Sequence, residues 1–227
     1  MLYSMSLNII NTSDGSHTLY NEKLNETYHS IHGAIQESEH IYINSGINYF
    51  IKNNKKEKIK ILEIGFGTGL NALLTYKFSL SNKYTFHYNT IESNPLKMEI
   101  INKLNYIDKL GKKYRDIFTL MHSQKSDKEI KISSKLFFNK QIIRLEEFKS
   151  KKKYDIIFFD AFAPSKQPDI WKAQNLQKVY NAMEKNAILV TYCSSGKFKK
   201  TLVELGYKIE IISGPPGKKE MVRASKK

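Results

Sequence analysis

Two carboxylates end two apolar runs: Asp160 closes YDIIFFD and Glu92 closes YTFHYNTIE. A third acid, Glu63, stands just ahead of three glycines at alternate positions, Gly65, Gly67 and Gly69, in EIGFGTG. Glycines let a backbone approach a ligand closely and take positive φ. Amides of such a loop, with the helix N-terminus behind it, offer N–H donors to an anionic or carboxylate-bearing ligand. An acid about 20 positions past a glycine loop is placed to hold ribose hydroxyls; its alternative role is to face a helix dipole. Asp160, at the carboxyl end of its run, sits where open α/β sheets bind ligands, or else it caps a helix.

These residues need strands to end at them and helices to start after them. Ile59, Ile61, Leu62 and Ile64 predict a buried strand before the loop, and Leu70, Ala72, Leu73 and Leu74 a helix after it. Tyr84–Glu92 and Tyr154–Asp160 read as further strands, as do Ala187–Tyr192, Tyr207–Ile212 and Glu220–Ala224, the last two turning back at Gly-Pro-Pro-Gly. Helices are expected over Ala34–Gly46, Leu96–Leu110 and Lys197–Leu205. Gln141–Phe148 reads as a short strand and helix start. Strands alternating with helices predict a mostly parallel, doubly wound α/β sheet with an antiparallel terminal hairpin. Residues 1–57 form an N-terminal extension, with a short hairpin strand at His17–Tyr20, and residues 58–227 the nucleotide-binding domain. The polar break within 105–140 predicts a helical insertion or lid beside the pocket.

Length and composition suit one domain: 227 residues, 41% hydrophobic. There is no apolar run of membrane-spanning length and the first residues lack the pattern of a signal peptide. The single cysteine, Cys193, excludes a disulfide framework and fits a reducing cytoplasm. Four of six histidines (His17, His29, His32, His40) precede the loop. No Asp or Cys at metal spacing accompanies them, so they read as turn and cap residues that close over a pocket, and no metal is expected. The formal charge of +15 permits a nucleic-acid partner. Yet only Arg115, Arg144 and Arg223 of the 37 basic residues are arginine, the residue suited to bidentate phosphate contacts; the excess is lysine, which reads as compositional drift.

The glycine loop resembles the S-adenosylmethionine (SAM) loop of class I methyltransferases, and its spacing differs from the G-x-G-x-x-G of dinucleotide folds. DGSHTLYNE, YHSIHGAIQESEHIY, LEIGFGTGLNALL, FFDAFAPSKQPDIW, LVTYCSSG and GPPGKKEMVRA together resemble the methyltransferase domain of the MnmC family over nearly the whole chain. The resemblance implies a class I SAM-dependent, Rossmann-like fold with a mostly parallel seven-stranded sheet. It implies a cytoplasmic enzyme that methylates the amine of 5-aminomethyluridine at the tRNA wobble position. No FAD is expected, because the family's oxidoreductase half is not found in these residues, and a separate enzyme is expected to supply the aminomethyl intermediate.

By the same resemblance, Glu63, Gly65, Gly67, Gly69 and Asn71 line the methionine end of SAM, Glu92 takes the ribose, and Gln36 and Glu37 close the pocket. Asp160 orients the amine and takes its proton, or holds the amino group of SAM. Phe162 lies near the sulfonium. Lys166, Lys218, Lys219 and Arg223 are candidate tRNA contacts, as is Trp171, for which core packing is the alternative. One departure from the family is that Arg144 stands about where an acid near the adenine is usual. The rival readings are a class I methyltransferase acting on a small molecule or protein, and an inactive RNA-binding remnant.

Overall fold

The computed structural model describes residues 7–124 and 127–226. The parts of the N-terminal extension, the expected insertion and the C-terminus that fall on residues 1–6, 125–126 and 227 lie outside the described residues.

The chain opens with a small antiparallel sheet of β1 (Leu7–Asn11), β2 (His17–Asn21) and β3 (Glu26–Thr27). A helical rod follows: α1 (Ala34–Ser38), a wider π-helical stretch Glu39–Asn48, and α2 (Tyr49–Asn53). Then come β4 (Lys58–Ile64), α3 (Leu70–Ser79) and β5 (Thr85–Ile91). Three short helices, α4 (Met98–Ile101), α5 (Tyr106–Leu110) and α6 (Arg115–Ser123), lead to β6 (Ile130–Lys131) and β7 (Leu136–Gln141). The chain continues through β8 (Tyr154–Phe159), α7 (Ala173–Ala182), β9 (Met183–Thr191), α8 (Gly196–Glu204), β10 (Lys208–Ser213) and β11 (Glu220–Ser225).

The main sheet has eight strands in the order β10-β11-β9-β8-β4-β5-β7-β6. The five from β9 to β7 are parallel, and β10–β11 is the antiparallel hairpin expected. The two-residue β6 adds an antiparallel eighth strand at the far edge. Side chains of a strand alternate between faces, and β4 shows it. Ile59 and Ile61 join the core layer under the helical rod, α3 and α6, while Leu62 and Ile64 join the layer under α7 and α8. The centre of the sheet is therefore covered on both faces, as parallel strands in such a fold are; all six residues of β8 are buried, Asp155 among them.

Three expectations change. The third strand is Leu136–Gln141, inside the stretch read as an insertion, and Ile142–Phe148 is a turn, where a strand and helix start were expected. Asn139 and Lys140 hide the strand by interrupting its apolar run, yet both are buried. Asn139 Nδ2 donates to Asn89 Oδ1 at 3.3 Å, and Lys140 Nζ donates to the carbonyls of Met121 and His122 that end α6. Helices α4–α6 bury Tyr106, Ile107, Phe118 and Met121 in the core layer, as the crossover between β5 and β7, not a lid. The single helix expected over Leu96–Leu110 is two helices. At the break, Asn105 Oδ1 accepts from His17 N at 2.8 Å and Asn105 Nδ2 donates to Gly15 O at 2.9 Å, gripping the β1–β2 turn.

Candidate active site

A cavity of about 710 Å³ lies beyond the carboxyl ends of β4, β5 and β8. The glycine loop forms its centre. Gly65 has φ 90°, and a Cβ there would stand 2.4 Å from Asp160 O, so only glycine fits between the ends of β4 and β8. Gly67 N donates to Glu92 Oε2 at 2.9 Å, and Asn94 N donates to Glu92 Oε1 at 2.7 Å. Each carboxylate oxygen accepts two bonds. Glu92 is therefore aligned by backbone and keeps capacity for a pair of ribose hydroxyls.

Behind the loop lie two carboxyls joined by one amide. Asn71, in the first turn of α3, donates through Nδ2 to Glu63 Oε1 at 3.0 Å and to Asp160 Oδ2 at 2.8 Å. Burial, then the charge of Asp160, pushes the Glu63 carboxyl up to about 8, against the opposing effect of the Thr90, Asn71 and Tyr88 side chains. Burial also raises Asp160, to about 6; the facing Tyr42 hydroxyl lowers it, Glu37 raises it, and Asn71 and Lys218 lower it. Near pH 7 Glu63 is mostly neutral and Asp160 mostly ionised, a separation that assigns two carboxyls different tasks. Glu63 supports the loop from beneath. Asp160 faces the cavity.

The segment from Asn21 to His32 forms the opposite wall. Tyr28 meets Phe162 edge-on with ring centres 4.8 Å apart. His29 Nε2 pairs with Thr68 Oγ1 at 2.7 Å; burial lowers its pKa to about 4, so the ring is neutral. The loop carrying Phe162 is pinned by Trp171, whose Nε1 donates to Phe162 O at 2.8 Å while its ring packs against Phe159 and Phe198.

Of the residues expected at the site, Glu37, Gly65, Gly67, Glu92, Asp160, Phe162 and Lys218 line the cavity. Asn71 and Glu63 lie beneath it. Gly69 starts α3, packed against Phe66 and His122. Gln36 is exposed; its N–H donates to Asp14 Oδ2 at 3.0 Å, and it faces away because its neighbour Glu37 takes the inward side of α1. Trp171 is core, as its alternative reading held. Arg223 is buried under Tyr49, 3.4 Å from the ring centre, and bidentate to Glu210, so it has no free face for RNA. Lys166 and Lys219 lie outside the cavity wall. Arg144 is exposed and paired with Glu146 at 3.3 Å; the wall in its vicinity is the apolar pair Ile143 and Leu145. Tyr28, Tyr42, Thr68 and Tyr192 were not singled out in the sequence. Only Tyr28, inside ETYHSIHG beside two histidines, carried a local hint.

The site fits an adenosyl ligand: an apolar slot of Ile91, Ile143, Leu145 and Ile170, the carboxylate of Glu92 beside it, and the glycine cradle next in line. Among the described residues no cluster of three or more His, Cys, Asp or Glu could hold a metal ion, and no helix is long and apolar enough to cross a membrane.

Comparisons with known proteins agree with this geometry. A protein of Campylobacter hominis named tRNA 5-methylaminomethyl-2-thiouridine biosynthesis bifunctional protein MnmC is 32% identical over 214 residues, covering 91% of this chain and 31% of the relative. The protein of the same name from Leptospira interrogans is 32% identical over 221 residues, covering 92% of this chain and 34% of its own length. The chain thus spans about a third of the curated relatives it matches. Among solved structures, MNMC2 from Aquifex aeolicus superposes with a TM-score of 0.80 at 26% identity, covering 99% of this chain and 72% of that one. A spermidine synthase from Thermotoga maritima shares the fold alone, with TM-score 0.55 and 15% identity over 98% of this chain and 75% of that one. The family described as S-adenosyl-L-methionine-dependent methyltransferase matches residues 103–227, more than half of the chain. By that match, and by the glycine loop, Glu92 and Asp160 that its cavity brings together, the chain belongs to the S-adenosyl-L-methionine-dependent methyltransferases.

Proposed function

We propose that the chain methylates the primary amine of 5-aminomethyluridine at the wobble position of tRNA, giving 5-methylaminomethyluridine. The observation that carries the reading is Asp160, a half-buried carboxylate at a strand end, facing the cavity beside Phe162 and ionised near neutral pH. Bound SAM would supply a methyl group already electrophilic on its sulfonium, the S–CH3 bond breaking as the N–C bond forms, with S-adenosylhomocysteine as the leaving thioether.

The chain's own residues do the rest. Glu92 and the glycine loop hold the nucleoside end, which fixes the methyl donor relative to Asp160; such positioning is the main contribution an enzyme makes to a transfer of this kind. An amine attacks only in its neutral form. Asp160 accepts a hydrogen bond from the amine, aligns its lone pair and takes the proton that leaves nitrogen as the N–C bond forms. The Phe162 and Tyr28 rings offer aromatic faces to a cation. Residues 7–57 act as the roof of the pocket, and Lys166 and Lys219 touch tRNA phosphate. The names of the Campylobacter and Leptospira relatives support the acceptor class. The reaction would run in the cytoplasm, after a separate enzyme has installed the aminomethyl group.

The test uses purified protein, SAM labelled in its methyl group, and tRNA from cells that accumulate 5-aminomethyluridine, with nucleosides read by mass spectrometry. Label in 5-methylaminomethyluridine supports the reading. Label in a metabolite or protein fraction instead, with none in tRNA, overturns the acceptor.

A further inference from the structure

The sheet order lays the cavity wall out as a series. After β7 come Ile143 and Leu145, after β5 Glu92, after β4 Gly65 and Gly67, after β8 Asp160, and after β9 Tyr192. A nucleoside with its ribose on Glu92 and its base on the apolar side therefore sends its 5′ substituent across the glycine loop toward β8 and β9. There the wall changes character. Lys218 Nζ stands 2.7 Å from Glu37 Oε1, and both residues line the cavity.

The pair is built in, not a chance surface contact. The Glu37 side chain is 8% exposed and that of Lys218 32%. Glu37 Oε2 accepts from Ser30 N at 2.7 Å, which uses the second oxygen and fixes the carboxylate plane. The Lys218 ammonium lies 4.1 Å from the centre of the Tyr192 ring, and the Tyr192 hydroxyl donates to Ala161 O at 2.8 Å. Gly217, at φ 83°, lets the turn that carries Lys218 close against the His32 ring, where any Cβ would collide.

We propose that the Glu37–Lys218 ion pair reads the α-amino-acid end of SAM, Lys218 facing the carboxylate and Glu37 the α-ammonium. This rests on the SAM-dependent reading above. A zwitterion set head-to-tail against an ion pair gives an alternating square in which every charge has opposite neighbours. In a wall sheltered from water that attraction is several-fold stronger than in bulk solvent. The preformed pair also leaves no lone buried charge before the ligand arrives, and its fixed side chains lose little freedom on binding. Lys218 is thereby a cofactor residue and not the tRNA-phosphate contact expected from sequence.

The test compares S-adenosylhomocysteine with 5′-methylthioadenosine, which lacks the amino-acid part, by titration calorimetry on the wild type, Lys218→Met, Lys218→Arg and Glu37→Gln. Thermal melts confirm folding. Losing one charge-assisted contact corresponds to about a 10- to 100-fold loss of S-adenosylhomocysteine affinity, expected in Lys218→Met and Glu37→Gln, with methylthioadenosine affinity within about threefold and Lys218→Arg in between. Equal loss for both ligands, or unchanged S-adenosylhomocysteine affinity in folded Lys218→Met with a raised KM for tRNA, overturns the assignment. A wild type that binds neither nucleoside overturns it together with the SAM reading, whereas the first two outcomes leave that reading standing.

Discussion

Asn71 Nδ2 donates to Asp160 Oδ2 over 2.8 Å, so the helix that begins after the glycine loop steadies the carboxylate at the end of a neighbouring strand. The bond stabilises the charged form of Asp160. Activity is expected to rise with pH through about 6 as Asp160 ionises. In Asn71→Ala that rising limb should move to higher pH. An unmoved limb in the pH–rate profile would separate the two residues functionally.

Asp160→Asn keeps the shape of the side chain and removes its ability to take a proton. A general base contributes about 10²- to 10⁴-fold, and kcat should fall by that order while S-adenosylhomocysteine still binds. Full turnover in this variant would remove Asp160 from the chemistry.

Glu63 gives a stability signature. Its folded pKa, about 8, lies above the ordinary carboxyl value of 4.5, so between these limits the folded state holds a proton that the unfolded chain releases. Stability from this group is present below pH 4.5 and is lost as pH rises toward 8. Glu63→Gln cannot lose that proton, so its stability in thermal melts should gain on the wild type steadily from pH 5 to pH 8, by roughly 3 kcal/mol at the upper end. Parallel melting curves of the two proteins over that range would refute the assignment of a neutral Glu63.

Arg223→Met should lower stability by about 1–2 kcal/mol through the lost stacking on Tyr49 and the lost pair with Glu210. The KM for tRNA should not change, because the guanidinium is already engaged. A raised KM in the folded variant would return Arg223 to the RNA surface.

Gly65→Ala should abolish nucleoside binding and lower the melting temperature, since the added Cβ would stand 2.4 Å from Asp160 O and the backbone sits at φ 90°. Calorimetry with S-adenosylhomocysteine reads the first effect and a thermal melt the second.

Much of this was legible in the chain. Glycine spacing and strand-end acids announce themselves through local patterns, and Gly65, Glu92 and Asp160 fall where those patterns put them. What was hidden depends on tertiary pairing. Leu136–Gln141 conceals a buried strand because Lys140 looks like a surface residue until its ammonium is seen capping α6. Arg223 reads as an RNA contact until Tyr49 and Glu210, distant in sequence, enclose it. Lys218 reads as one of many lysines, and only the fold brings Glu37 to it.

That last link bears on how the protein is made. Lys218 meets Glu37, Arg223 Nη1 donates to Ser45 O at 3.4 Å, and Ser213 O pairs with His40 Nε2 at 2.8 Å. These contacts, with the stacking of Arg223 on Tyr49, stitch the early helical rod to the last hairpin. On the ribosome the rod emerges long before its partners, and contacts of such sequence separation form late. The pocket wall can be completed only when translation has passed residue 218, so a stalled or shortened nascent chain presents the glycine loop and Glu37 without the lysine that pairs with Glu37.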